Sequence, residues 1–513
     1  MSRAAALVKR IFGQSRQFSG SQTKRMGQSF RLRRGLTGEA LEQKVMLSAD
    51  PIVSQNPAGA YTVTFGTTDD VVSVELISTE ASDNGGVIVS LSYIDDASIL
   101  TKFNLGNATT GVVSLTIDGG GGSDRFTVDA LGKPLTIRGG TGTDSLIGPD
   151  DDTNWTISGL DTGSATGIAL FDSVENLAGR SGTDEFTLNA AGSITGTIDG
   201  GDGDDRLTGP NTPNVWTLSG EDAGRVNNSD SEVTTGSASF EGIENITGGD
   251  DVDKFIVTTL ESITGEIAGG GGTDTLIGAD DVNSWSITGD DTGTLNDADF
   301  IQIENLTGGS GDDTFGIVGT TASLSGKLDG GLFDIESPTV NSVNYSQRGA
   351  AVTVNLDTIS APGLTGGYEQ ITRFVGSSNA SNDVLIGPVS FLEQTTWTIS
   401  GPNSGNVDGT AFSGFENLTG QNNSSDAFIF GPFGSITGAI AGGTGSVDGF
   451  AVVDASGDLT VYQPTGADQS GGPTTVGGKI ISSWSGMDNF NPLSGNSTNR
   501  VVTGTIFGRD LIL

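Results

Sequence analysis

Apolar and polar residues alternate in short bursts along this chain. AYTVTFG, VVSVELIS, VIVSLSYI and VVSLTI follow one another between residues 60 and 117, joined by Asp, Asn and Gly. Further on, FTV, LTI, WTIS and FIVTT carry the same period of two. That period is the signature of β-strands with one face inward, and the β-branched and aromatic content argues against disordered coil. No stretch approaches eighteen apolar residues, so no transmembrane helix is expected.

The phrases repeat. NWTISG (Asn154 to Gly159), NVWTLSG (Asn214 to Gly220) and TWTISG (Thr396 to Gly401) echo NSWSITG (Asn283 to Gly289). FDSVENLAG (Phe171 to Gly179), FEGIENITG (Phe240 to Gly248) and FSGFENLTG (Phe412 to Gly420) echo Phe300 to Gly308 in the same way. Between them stands SITGxIxGG, at Ser193, Ser262 and Ser435, with a looser copy at Ser323. The aspartates of the glycine-rich turns fall at 124, 144, 184, 205, 253, 274 and 313, in steps of 20, 40, 21, 48, 21 and 39. Steps near multiples of twenty predict an elongated, all-β, parallel β-solenoid of about 20 residues per coil with irregular β caps.

The expected organisation is a basic leader over 1–50, an N-terminal β cap over 51–117 and a regular repeat body over 118–331. A variant block over 332–376, weaker repeats over 377–450 and a C-terminal β segment over 451–513 follow. The variant block is marked by the 112-residue step from Trp285 to Trp397, against 61 and 69 earlier.

Composition supports a narrow, turn-rich body, with 81 glycines against 14 prolines in 513 residues. The formal charge of −39 conceals a split. The first 44 residues hold 10 of the 24 Lys and Arg with only Glu39 and Glu42 as acids, leaving the rest near −47. So acidic a body argues against nucleic acid and makes cations the expected companions. With no Cys and no His, disulfides, thiolate chemistry, His-based triads and the usual zinc sites are excluded.

Residues 41–50, LEQKVMLSAD, resemble the LEPR-XLL motif found near the N-terminus of large repeat-bearing surface proteins of planctomycetes and some other marine bacteria. Leu41, Glu42, Leu47, Ser48 and Ala49 match, whereas Gln43, Lys44 and Met46 replace Pro, Arg and Leu. The resemblance implies export, to the cell surface or medium.

GGGGSDRF (Gly119 to Phe126), GGTGTDSL (Gly139), GGDGDDRL (Gly200), GGGGTDTL (Gly269) and GGSGDDTF (Gly308) fit GGxGxDxL/F. They resemble the calcium-binding nonapeptide of the repeats-in-toxin (hemolysin-type) family, whose turns hold Ca²⁺ through Asp carboxylates and carbonyls. The resemblance implies weak, multi-site Ca²⁺ binding by Asp124, Asp144, Asp184, Asp205, Asp253, Asp274 and Asp313, hard oxygen ligands suited to that ion. In that family the turns run in tandem, whereas here each stands between unlike phrases. One coil of spacing makes Asp124 with Asp144, Asp184 with Asp205, and Asp253 with Asp274 the expected stacked pairs. Alternatively the turns are plain corners, glycine supplying positive φ and Asp capping nearby amides without metal.

The Asn residues of the ENxxG phrase (Asn176, Asn245, Asn305, Asn417) read equally as interior ladders or solvated turns. The phrase tryptophans read as interior plugs, and alternatively as exposed sugar-stacking platforms. The expected function is a non-catalytic, calcium-responsive adhesive or structural surface protein. The competing readings are a β-helix enzyme acting on acidic polysaccharide, or a scaffold that binds such polysaccharide through its tryptophans. The enzyme would need carboxylates converging with Arg348 or Arg373 in the variant block.

Overall fold

The computed structural model describes residues 52–502, except 58–59, 68–69, 79–86, 95–99, 108–113, 130–133, 229–235, 261, 332–338, 379–381, 390–393, 445–447 and several stretches between 454 and 499. The chain divides into two units, Met1–Ser48 and Ala49–Leu513. The leader with its LEPR-XLL-like stretch lies outside the described residues. All defined elements are strands.

Alternation sorts side chains as expected. Leu115, Ile117, Phe126, Val128, Leu135 and Ile137 are buried, while Thr116, Thr127 and Thr136 between them are half-buried on the outer faces. Through the repeat region the chain passes back and forth between two long sheets, which have 24 and 15 strands among the described residues. Ser114–Asp118 and Leu135–Arg138 lie in the first, Arg125–Val128 and Ser145–Ile147 in the second. Pairing between successive strands is parallel and in register, with Leu115 beside Leu135, Phe126 beside Leu146, Phe186 beside Leu207 and Phe255 beside Leu276. Each such pairing step is one level. A slip of one residue would turn every buried side chain outward, so the buried face holds the register. The second sheet ends at Tyr368–Glu369, and a third sheet, of six strands among the described residues and beginning at Thr353–Asn355, continues from there.

The tryptophan phrase departs from the expected parallel winding. Asn154–Gly159 folds back antiparallel on Thr162–Ala165, which folds back on Ile168–Asp172. The outer arms of this meander then pair in parallel with neighbouring levels, Asn154–Gly159 with Glu185–Leu188 and Ile168–Asp172 with Leu135–Arg138. One antiparallel strand is thus inserted in an otherwise parallel sheet. The same insertion recurs at Ala223–Asn228, Thr292–Leu295 and Ser404–Val407.

The reversal has a local cause. Asp161, Asp222, Asp291 and Asn403 sit at its tip with φ of 52, 50, 50 and 48°, a left-handed conformation that Asp and Asn tolerate better than most residues. Their side chains accept the amides of Thr195, Thr264, Ser325 and Thr437, which ties the reversal to the SITG-type phrase of a later turn. The tryptophans plug the interior. Trp155 stacks on Phe186 at 5.5 Å and meets Phe171 edge-on at 6.1 Å, and Trp216, Trp285 and Trp397 repeat this pair of contacts.

At the N-terminal end Ile52–Gln55 pairs antiparallel with Ala60–Thr64, and Val71–Ser78, Val87–Ile94 and Leu100–Asn107 form an antiparallel meander. Ala60–Thr64 and Val71–Ser78 then pair in parallel with the first repeat strands.

Candidate functional site: columns of buried carboxyls

All seven turn aspartates are buried, at 0 or 1% exposure. Each side chain reaches one level back and accepts a backbone amide. Asp124 Oδ1 accepts Asp70 N at 2.8 Å, and Asp144 Oδ1 accepts Asp124 N at 2.7 Å. Asp184 accepts Thr153 N at 2.8 Å, and Asp205 accepts Asp184 N at 2.7 Å. Asp253 accepts Asn214 N at 2.8 Å, Asp274 accepts Asp253 N at 2.7 Å, and Asp313 accepts Asn283 N at 2.9 Å. The three expected pairs are therefore stacked, spanning 20, 21 and 21 residues. Asp313 has Asn341 as its following neighbour, whose Oδ1 accepts Asp313 N at 3.0 Å.

Three of these columns end on a glutamate. Glu175, Glu244 and Glu304 accept the amides of Asp144, Asp205 and Asp274, and Glu416 does the same for Asp383. The Asn that follows each of them bridges levels. Asn176 Nδ2 donates to Asp144 O while its Oδ1 accepts Thr197 N, and Asn245, Asn305 and Asn417 repeat both bonds. These asparagines are half-buried and bond to backbone on either side, so they form neither an interior side-chain ladder nor a merely solvated turn. Sequence reasoning passed over the glutamates, although the Glu-Asn pair stands in all four copies of the phrase. It also passed over Asp383, Asp426 and Asp448, buried at the same position in turns that lack the glycine pattern.

The first glycine of the turn is explained by the carboxyl. A Cβ on Gly179 would lie 2.1 Å from Asp184 Oδ2 and 2.3 Å from Gly200 O. On Gly248 it would lie 2.2 Å from Asp253 Oδ2 and 2.4 Å from Gly269 O. Only a bare Cα fits between its own turn's carboxyl and the carbonyl of the next level.

Burial sets the electrostatics. Oδ2 of Asp184, Asp205, Asp253, Asp274, Asp313 and Asp426 is buried without a hydrogen-bond partner among the described residues. Desolvation pushes Asp253 up to about 7, and Asp205, Asp274, Asp313 and Asp426 up to about 6. Asp184 and Asp383 are raised for the same reason.

The outer acids differ. Asp150, Asp151, Asp152, Asp280 and Asp281 are exposed, and Arg180 pairs with Asp150 at 2.9 Å and Asp129 at 3.3 Å. Among the described residues no group of three or more acidic side chains is arranged to hold a metal ion.

In the variant block a cavity of about 400 Å³ is lined by Lys327, Ser360, Tyr368 and Glu369, with Lys327 and Glu369 paired. Neither arginine lines it. Arg348 packs over the Tyr345 ring at 5.9 Å and donates to Thr320 O, and Arg373 lies on a strand paired with Ser342–Asn344 and Thr410–Ser413.

No family model matches the chain, and no curated protein matches it. Among the described residues no helix is long and apolar enough to cross a membrane.

Proposed function

We propose that the repeat region winds as a closed parallel β-solenoid and that the protein is a non-catalytic spacer or scaffold, working at the cell surface or in the medium. The observation that carries this reading is where the titratable groups go. The aspartates of the repeated turns cap amides inside the stack, so the motif's chemistry is directed at holding one level to the next. Parallel registers of 20 and 21 residues support a coil of about that length. At about 4.8 Å between neighbouring strands, the 24-stranded sheet, end strands included, would be on the order of 100 Å long.

The surface that remains is acidic. Calcium on this reading acts as a counter-ion to the outer carboxylates, in common with other divalent cations, and basic or cation-bridged polysaccharide is the partner such a surface suits. The enzyme alternative is not favoured, because Arg348 and Arg373 do not converge with carboxylates on the cavity of the variant block. The cell-surface placement rests on the resemblance at residues 41–50.

Small-angle scattering from the full chain tests the reading. The expected curve has the linear cross-section region of a rod about two sheets thick. A curve fitted by a compact particle of this mass would overturn it.

A further inference from the structure

The column position is not always an aspartate, and the exceptions are informative. Asn341 stands one level after Asp313, and its Oδ1 accepts the Asp313 amide as an aspartate would. Its Nδ2 lies where an aspartate has Oδ2, and donates to Gln370 O at 3.3 Å. At the head of the same column and of one other the same direction is used. Asn283 Nδ2 donates to Gly308 O at 2.9 Å, and Asn214 Nδ2 to Gly248 O at 3.3 Å. In all three the side chain presents a donor to the carbonyl of the next level.

The aspartate Oδ2 atoms border the matching point beside the next level's carbonyl. The point where a Cβ on Gly330 would stand is 2.6 Å from Asn341 Nδ2 and 2.3 Å from Gln370 O. The matching point on Gly269 is 2.5 Å from Asp274 Oδ2 and 2.0 Å from Gln302 O, and on Gly308 it is 2.2 Å from Asp313 Oδ2 and 2.5 Å from Gly330 O. An ionised carboxylate there sets one acceptor against another with no donor between them, at the full desolvation cost of a buried charge. Oδ2 of Asp274 and of Asp313 has no hydrogen-bond partner among the described residues, and at Asp313 the Asn283 Nδ2 donor at 2.8 Å reaches Oδ1, not Oδ2.

We propose that these buried aspartates are neutral carboxylic acids in the folded protein under mildly acidic conditions, Oδ1 accepting the amide of the preceding level and Oδ2–H donating to the carbonyl of the next. The stack then contains a column of bound protons, and loss of those protons loosens one level from another. The charged groups that face the column are all acidic and reinforce this. Asp205 is faced by Asp184, Glu244 and Asp204, Asp253 by Asp274 and Asp251, and Asp313 by Asp312. Asp383 differs in geometry, because its Oδ2 accepts Ser377 N at 2.6 Å, although burial still raises it.

The sign follows from linkage. These groups titrate higher in the folded chain than the ordinary 3.8, so their contribution is fully present below that value and is lost as pH rises through about 6 to 7. The test compares melting of the full-length protein at pH 5 and pH 8 with that of Asp274→Asn, Asp313→Asn and the exposed control Asp280→Asn. The parent is expected to melt higher at pH 5. Each buried Asn variant, which carries its donor at every pH, is expected to melt above the parent at pH 8 and level with it at pH 5. Asp280→Asn should shift little at either pH. Buried Asn variants that melt below the parent at pH 8, or that fail to fold, would overturn the proposal, since Asn341 shows the position accepts an amide. Carbon NMR of the aspartate carboxyls in the unmodified chain decides independently. A set of carboxyls with midpoints near 6 to 7 supports the proposal; all of them titrating near 4 while the protein stays folded sinks it.

Discussion

Glycine opens each turn for a reason of contact as much as of conformation. At Gly248 a methyl group would have to displace both the Asp253 carboxyl and the Gly269 carbonyl, and the second of these is backbone held by sheet pairing. Gly248→Ala is therefore expected to destabilise the protein by about 1–3 kcal/mol or more, in the manner of an overpacked core. Gly66 provides the comparison, being exposed, with nothing within 4 Å of its added Cβ. Gly66→Ala is expected to be neutral or to stabilise by up to about 1 kcal/mol through the unfolded chain. Denaturant melts of the two variants check both. Equal losses would show that turn flexibility, and not contact with the carboxyl, is what the glycines provide. A related expectation concerns the plugs. Trp285 is buried between Phe300 and Phe315, so Trp285→Ala should cost about 3–5 kcal/mol.

At the scale of elements, the antiparallel insertion depends on one residue per copy. Asp222 holds the left-handed tip and caps Thr264 through both its amide and its hydroxyl. Asp222→Ala removes the cap and places a poorly tolerated residue at φ of 50°, with an expected loss of about 1–3 kcal/mol. Asp222→Gly relieves the conformation and loses only the cap, so it should be the milder of the two. Chemical denaturation would rank them, and the reverse order would remove the conformational argument. This is also where sequence reading fell short. The stacked pairs Asp124 with Asp144, Asp184 with Asp205 and Asp253 with Asp274 were legible, because twenty or so residues between like turns is a statement about stacking. So were the buried tryptophans, from alternation alone. The reversal was not, since the tryptophan and phenylalanine phrases each read as an independent strand. Alternation is blind to whether the next strand runs with or against it. The left-handed Asp or Asn at the tip was the available signal. Amide capping by the aspartates was legible only as one of two alternatives, for a Gly-rich acidic turn has the same letters whether its carboxyl meets a cation or an amide.

For the molecule as a whole, the outer acids set a second dependence on conditions, separate from that of the buried column. With a net charge of −39, exposed carboxylates such as Asp150, Asp151, Asp280 and Asp281 repel across distances of several ångströms, where screening by salt is effective. Added salt should therefore raise the melting temperature of the full chain, and divalent ions should do so at lower concentration than sodium. Because among the described residues no three acidic side chains are arranged to hold a metal ion, calcium and magnesium should act alike. Melting in matched ionic strengths of sodium, magnesium and calcium chloride separates the cases. A common rise for the two divalent ions fits screening of an acidic surface. A rise specific to calcium, saturating at low concentration, would mean that turns of this chain gather into selective sites, since a ligand that binds only the folded state stabilises it by mass action. The buried aspartates would then have to turn outward and release the amides they cap, and calcium would compete with the level-to-level bonds of the stack instead of adding to them.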